Sequence, residues 1–232
     1  MKTIGLIGGL SWESTTEYYR LINREVQKRL GGVHSARLLL FSFDFAAIEA
    51  LQAAGKWEAA QAAIEDAALS LKRAGADCLV ICSNTMHCQA EAVERAAGLP
   101  LLHIADATAA AVLAAGHRRV GLLATRYTME QDFYKGRLMR RHDLDVLIPD
   151  EADRALVHRV IYEELVCGVV KQRSRDEYRA VIAKLVERGA EAVILGCTEI
   201  MMLVKPEHSA VPLFDTTAIH AHAAVAFALE DA

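Results

Sequence analysis

The stretches Arg73–His87 (RAGADCLVICSNTMH) and Glu187–Ile200 (ERGAEAVILGCTEI) read as two copies of one strand and its ending. Aligned on Gly75-Ala76-Asp77 and Gly189-Ala190-Glu191, they keep a single offset. This sets Ser83 opposite Cys197, and Asn84-Thr85 opposite Thr198-Glu199. The apolar runs CLVIC and AVILG are continuous rather than alternating, as expected of a parallel strand whose two faces are both covered by helices. A duplicated strand that twice ends in small polar or reactive residues predicts two related lobes serving one reaction.

Working outward, short apolar runs alternate with longer amphipathic segments. Strands are predicted over Thr3–Ile7, Arg37–Phe43, Cys78–Cys82, Leu101–Ile104, Val120–Ala124, Asp145–Ile148, Ala192–Leu195 and Val211–Phe214. Helices are predicted over Ser14–Leu30, Trp57–Ala74, Thr108–Ala115, Met129–Arg140, Asp153–Cys167, Arg175–Arg188 and Thr217–Leu229. With Gly75, Gly98, Gly116 and Gly189 at the turns, this is the pattern of an α/β fold with mainly parallel sheets flanked by helices. Ile4-Gly5-Leu6-Ile7 is similar to Val120-Gly121-Leu122-Leu123, each the expected first strand of its half. The first lobe is therefore placed at residues 1–100 and the second at 101–210, with a C-terminal helix over 211–232 packing back on the first. Ligands of open α/β sheets bind beyond the carboxyl ends of the strands. That rule gathers Gly8–Trp12, Ser83–Thr85, Thr125–Thr128 and Cys197–Glu199 at one edge.

The chain has 232 residues, of which 53% are hydrophobic, enough for a substantial core. A net charge of −4 gives no electrostatic reason to bind nucleic acid or an anionic membrane. No apolar run approaches a membrane span, and MKTIGLIGGLSW is too short in its apolar core for a signal peptide. A soluble cytoplasmic protein is expected. Five cysteines, an odd number without a secretory signal, argue against a disulfide framework. Cys82, His87 and Cys88 match no common zinc spacing, so no metal is expected. GLIGGLSW lacks the G-x-G-x-x-G pattern, no Walker motif occurs, and no lysine ends an apolar strand where pyridoxal phosphate would need one. Chemistry without a cofactor is what remains.

Cys197 follows an apolar strand and Gly196. Backbone N–H groups at such a strand-to-helix turn are expected to bring its thiol toward neutrality, where it can take or give a proton. Successive side chains of a strand point to opposite faces, so the counterpart of Cys197 is Ser83, while Cys82, aligned with Gly196, points away. A serine hydroxyl is a far poorer acid or base than a thiol, which makes the expected site chemically lopsided.

The segments GLIGGLSWEST, ICSNTMH, ATRYTMEQDFY, LGCTEI and FDTTAIHAHAA resemble the aspartate/glutamate (and hydantoin) racemase family over nearly the whole chain. The likeness is closest to the branch of broad-specificity amino-acid or L-aspartate/glutamate racemases. It implies two similar lobes related by a pseudo-twofold axis, a cleft site, no cofactor and a homodimer. It also implies a two-base mechanism, in which one cysteine removes the α-proton and the other reprotonates the opposite face. Most members carry Cys directly before Asn-Thr, where this chain has Ser83, with Cys82 one residue earlier. Cys82 stays open as first base; strand alternation favours Ser83.

Carried over, the resemblance makes Cys197 the base toward L-substrates and Ser83 the weaker partner, with slow, L-biased turnover. Asn84, Thr85, Thr125 and Thr198, with the backbone around Leu10, would hold the α-carboxylate, and Glu199 would also line the site. Racemases of acidic substrates in this family tend to place an Arg in the segment holding Gln52 and a Lys near IYEELVCG, where this chain offers Gln52 and Glu164. A bidentate carboxylate clamp is thus missing, and the substrate set widens from aspartate or glutamate to neutral side chains such as homoserine. Arg126 is a possible substitute cation, and His87 a neighbour of the site. The rivals are a one-cysteine decarboxylase or dicarboxylate cis–trans isomerase, and a non-catalytic amino-acid-binding protein.

Overall fold

The computed structural model describes residues 1–230 of the chain. In order these form β1 (Ile4–Gly8), α1 (Trp12–Leu30), β2 (Leu38–Ser42), α2 (Phe45–Ala53), α3 (Trp57–Arg73), β3 (Cys78–Ile81) and α4 (Ala90–Ala97). Then come α5 (Ile104–Ala114), β4 (Arg119–Ala124), α6 (Arg126–Glu130), α7 (Asp132–His142), β5 (Asp145–Leu147) and α8 (Glu151–Glu163). The chain continues through α9 (Gln172–Glu187), β6 (Ala192–Gly196), α10 (Ile200–Leu203), β7 (Leu213–Asp215) and α11 (Thr216–Leu229). Two parallel sheets result, ordered β2-β1-β3 and β5-β4-β6-β7. The chain divides into two compact units: Met1–His103 with the chain from His220 onward, and Ile104–Ile219.

β1, β3 and β6 are buried at every position, and β4 at every position after Arg119, as their continuous apolar runs require. The flanking helices bury one stripe each. In α1 it is Ser14, Thr15, Tyr18, Ile22 and Val26, at helical spacing. α3 and α9 stop alike, two residues before Gly75 (φ 96°) and Gly189 (φ 94°), where the left-handed backbone turns the chain into β3 and β6. The repeat therefore includes the helix stop as well as the strand. In the first unit the sheet separates two apolar clusters. One faces α3 and α4 through Ile7, Ile64, Leu79 and Val93; the other faces α1 and α11 through Ile4, Tyr18, Val80 and Val225. A third cluster, from Ile104 to Val204, fills the second unit.

Several expected elements shift. Leu101–Ile104 is not a strand: only Leu101 bridges to Leu79, and α5 begins at Ile104. Pro100 has no N–H to give a ladder; it lends its carbonyl to Leu79 N at 2.9 Å, and Leu102 N returns to Leu79 O at 3.0 Å. The helix expected over Met129–Arg140 breaks at Gln131, whose backbone is extended (ψ 154°) ahead of α7. The segment 211–232, assigned whole to the first lobe, divides, although its strand and helix both form. β7 is hydrogen-bonded to β6 (Val193↔Leu213), so residues up to Ile219 belong to the second unit. Residues 231 and 232 of that expectation lie outside the described residues.

His220 is fully buried in the first unit. Its Nε2 lies 2.7 Å from Leu102 O and its Nδ1 2.8 Å from Tyr18 Oη. A carbonyl only accepts, so Nε2 carries the proton, and Nδ1 accepts from the Tyr18 hydroxyl. Burial pushes this imidazole down to about 4. The unfolded chain binds its proton near pH 6.5 and the folded chain only near 4. Stability is thus lost as pH falls between these values, by on the order of 3 kcal/mol from this group. Urea unfolding at pH 7 and 4.5 should show the wild type losing at least about 1 kcal/mol more than His220→Gln. Equal losses would remove His220 from the acid sensitivity.

Candidate active site

Each unit carries its own set of polar side chains at the carboxyl ends of its central strands. In the first, β1 ends at Gly8 and turns through Gly9 (φ 69°) and Ser11 (φ 116°) into α1. A side chain at Gly9 would run into the Phe43 backbone. The turn is pinned by the first turn of α1. Thr15 Oγ1 accepts from Gly9 N at 2.9 Å and donates to Ser11 O at 3.0 Å, and Ser14 Oγ also donates to Ser11 O at 2.9 Å. Ser11 is buried, holds a backbone conformation rare for a non-glycine residue, and its hydroxyl has no hydrogen-bond partner among the described residues. An unsatisfied buried donor beside strained backbone at a helix N-terminus marks a place where an anion would be welcome. Sequence patterning has no handle on this residue, because only the backbone angle singles it out. Leu10 itself packs into the cluster with Ile7, Ile48, Ile81 and Met86, so its side chain is taken up by the core.

β3 lies on β1 (Ile7↔Ile81), so the turn after β3 adjoins this loop; Cys82 N donates to Ile7 O at 2.9 Å. Cys82 points into the cluster with Ile4, Leu6 and Tyr18, fully buried, and burial drives its thiol far above the usual range. Ser83 is half-buried and its Oγ accepts from Met86 N at 3.4 Å. His87 Nδ1 lies 2.6 Å from Ser83 O, to which it can only donate. Burial, then the neighbouring His103 and His220, hold the His87 imidazole well below its ordinary value, so it acts as a neutral brace for this turn. Asn84 and Thr85 are buried in the same turn, and Gln52 reaches it from α2, its Nε2 3.0 Å from Met86 Sδ.

In the second unit, β4 and β6 pair through Ala124↔Gly196, which sets Thr125 beside Cys197 at their carboxyl ends. A side chain at Gly196 would lie 2.8 Å from Leu122 Cδ1 and 3.1 Å from Ala124 Cβ, so glycine is what lets β6 reach the turn. Thr125 caps α6, accepting from Thr128 N at 3.3 Å. Cys197, Thr198 and Glu199 are all buried. Cys197 Sγ donates to Glu199 Oε2 at 3.0 Å, and Thr198 Oγ1 donates to the same oxygen at 2.7 Å. A carboxylate only accepts, so the one Thr198 proton expected for a substrate carboxylate is committed to Glu199, and what Thr198 has left is acceptor capacity.

The expected acidic shift of Cys197 is reversed. Burial and the Glu199 carboxylate hold its thiol well above the ordinary value, outweighing the backbone N–H groups of Glu199 and Thr198 that pull it down. The helix that follows, α10, has only four residues and little dipole to offer. Glu164 lies at the end of α8, where its carboxylate accepts from Ser174 Oγ at 2.7 Å and Lys171 Nζ at 3.2 Å. Burial alone would raise the Glu164 carboxyl; Ser174 and Lys171 outweigh it and keep it below the ordinary carboxylate value. Tyr178 of α9 feels both ends of this unit's set: burial, then the charges of Cys197 and Glu164, keep its phenol un-ionised.

Among the described residues no group of three or more His, Cys, Asp or Glu is placed to hold a metal ion, and no helix is long and apolar enough to cross a membrane. What the two sets offer is proton chemistry: a thiol on a carboxylate, a hydroxyl on a braced turn, and polar hydrogens at the start of α1.

The sequence profile of the Asp/Glu/hydantoin racemase family matches residues 7–224. The chain belongs to that family, a family of isomerases. Among solved structures it is similar to a Yersinia pestis protein proposed as an Asp/Glu racemase, at 55% identity and a TM-score of 0.92, covering 99% of this chain and 100% of that one. It is also similar to an aspartate racemase homologue from Pyrococcus horikoshii OT3, at 32% identity and a TM-score of 0.85, covering 99% and 100%. The broad specificity amino-acid racemase of Bacillus subtilis (strain 168) is 24% identical over 166 residues, 70% of either chain.

Proposed function

We propose that the chain is a cofactor-independent amino-acid racemase that inverts Cα by proton transfer, with Cys197 as the strong acid/base and Ser83 as the weak one. The observation that carries this reading is their equivalence. Ser83 stands two residues past Ile81, the partner of Ile7 on β1. Cys197 stands two residues past Leu195, the partner of Leu123 on β4. Removal of Cys82 into the apolar core supports Ser83 as its counterpart. The α-carboxylate is assigned to Asn84, Thr85 and Thr125 together with Ser11 and the N-terminus of α1. The α-ammonium is assigned to the acceptors of Thr198 and Glu199. With Gln52 in place of a cation, and with Glu164 already neutralised by Lys171, the side-chain pocket favours neutral polar substrates such as homoserine over aspartate and glutamate. Kinship further supports a homodimer working in the cytoplasm on a free amino acid.

The test is α-proton exchange in deuterium oxide across a panel of amino acids of both hands. Exchange from L-substrates is expected to outpace exchange from D-substrates. Ser83→Cys should raise the D-side rate about tenfold or more, within the range of acid–base contributions, and Cys82→Ala should leave both rates unchanged. Loss of exchange in Cys82→Ala would move the first base there. One thiol is also all that a decarboxylase of malonate-type acids needs; release of carbon dioxide in place of deuterium uptake at Cα would decide for that reaction. Thermal stabilisation by an amino acid with no exchange at any enzyme concentration would leave a binding protein.

A further inference from the structure

Both sets of side chains hold a group bonded to the proposed acid/base, but only one of these groups can take a proton from the reacting atom. His87 braces Ser83 through its carbonyl and not its hydroxyl. Glu199 is bonded to the sulfur itself, at 3.0 Å, in a site where both residues are buried. Thr198 Oγ1 holds the same carboxylate oxygen at 2.7 Å, so the acceptor is oriented as well as near. We propose that Glu199 is the proton-holding partner of Cys197: it keeps the resting thiol protonated and takes that proton when the thiol must act as a base. This rests on the assignment of Cys197 as acid/base and deepens it.

The protons balance. For an L-substrate, the S–H bond breaks as an O–H bond forms at Glu199 Oε2. The Cα–H bond then breaks as a new S–H bond forms, and the carbanion takes a proton on its other face from the Ser83 side. Glu199 finally gives its proton to solvent, matching the one solvent returns to Ser83. In the D-to-L direction Cys197 donates first, and Glu199 passes solvent protons back to the sulfur. Other titratable or charged groups on the elements around this turn include Tyr178 of α9, kept un-ionised, Glu164 at the end of α8, held by Ser174 and Lys171, Arg175 of α9, bonded to Leu203 O at 2.8 Å, and Asp215 of β7, paired opposite Leu195 two residues before Cys197. Glu199 is the group bonded to the sulfur itself. A carboxylate 3.0 Å from a buried sulfur opposes its ionisation, so removing that charge should release the thiol.

The test reads Cys197 directly. Thiolate absorbance near 240 nm is titrated in the intact protein, Glu199→Gln and Glu199→Asp, each minus its own Cys197→Ser counterpart; α-proton exchange is followed in the same proteins across pH. In Glu199→Gln the thiolate should appear at least one pH unit lower than in the wild type, while exchange falls at least tenfold in spite of the added thiolate. Glu199→Asp should restore the wild-type titration direction and part of the exchange. An unchanged thiol titration in Glu199→Gln overturns the proposal, as does exchange that rises with the thiolate fraction. If Glu199→Gln does not fold, Glu199→Asp decides by its exchange: its carboxylate stands one methylene short of the sulfur, so exchange should fall at least severalfold with the thiol titration near that of the wild type, and exchange equal to the wild type's overturns the proposal. A shifted titration in Glu199→Gln, alongside a wild type that exchanges no amino acid, would keep the thiol–carboxylate pair and refute the racemase assignment.

Discussion

Cys197→Ala is expected to lose α-proton exchange from L-amino acids by about a thousandfold, mid-range for removal of one positioned acid/base. The fold should survive. Only one sulfur is removed, from a residue at the rim of the apolar cluster with 8% of its surface exposed. Glu199 also keeps its bond from Thr198. A small buried deletion of this kind costs on the order of 1 kcal/mol. Deuterium uptake at Cα, followed by nuclear magnetic resonance on an L-substrate that the wild type turns over, checks the effect. Residual exchange above about a tenth of the wild-type rate would mean that another group removes the proton.

Gly9→Ala is expected to be the most damaging of the glycine-to-alanine changes in this chain. Gly9 has φ 69°, and its missing Cβ would overlap the backbone N and O of Phe43, which cannot swing aside as a side chain could. Phe43 N is itself bonded to Gly8 O at 3.0 Å, so displacing it breaks the junction of β1 with the segment after β2. Left-handed backbone alone costs alanine about 1 kcal/mol, and the overlap should bring the total to at least about 3 kcal/mol. At this chain length that corresponds to roughly 6 to 12 °C in melting temperature. Gly55→Ala is the control: φ is 67°, but no atom lies within 4 Å of the added methyl, so only the backbone cost of about 1 kcal/mol applies. Thermal unfolding of the two variants side by side separates the contributions. Equal losses would show that the Phe43 overlap relaxes at no cost.

The sheet architecture was legible because it depends on patterns that survive in one dimension. Continuous runs such as CLVI and AVILG mark strands covered on both faces, and the period of two distinguishes Cys82 from Ser83. What stayed hidden depends on neighbours distant in sequence. The acidity of Cys197 is set by burial and by the direction in which Glu199 points, and the turn geometry alone argued the other way. Ser11 is distinguished by one backbone angle and an unsatisfied hydroxyl, neither of which leaves a trace in composition. Leu101–Ile104 has the apolar look of a strand, yet Pro100 and the start of α5 leave it a single bridge. The Ala-rich α2 carries too little polar contrast to stand out as a helix; α4 buries Val93 and Ala97 and exposes Glu91, Glu94 and Arg95, but at eight residues it is too short for its period to stand out, and both escaped prediction.

The way α11 closes the core of the first unit has a consequence for the order of synthesis. Ile4, Leu6, Tyr18 and Cys82 share their cluster with Ala221, Ala224, Val225 and Ala228, residues translated only after the whole of Ile104–Ile219. On the ribosome, the N-terminal sheet therefore emerges with one apolar face bare, while the second unit is assembled from a contiguous stretch of chain. The part made first is completed last. A nascent chain stalled near Ile219 should hold a finished second unit beside an unfinished first one, a state in which chaperone binding and protease cleavage concentrate on the residues between Met1 and Val26.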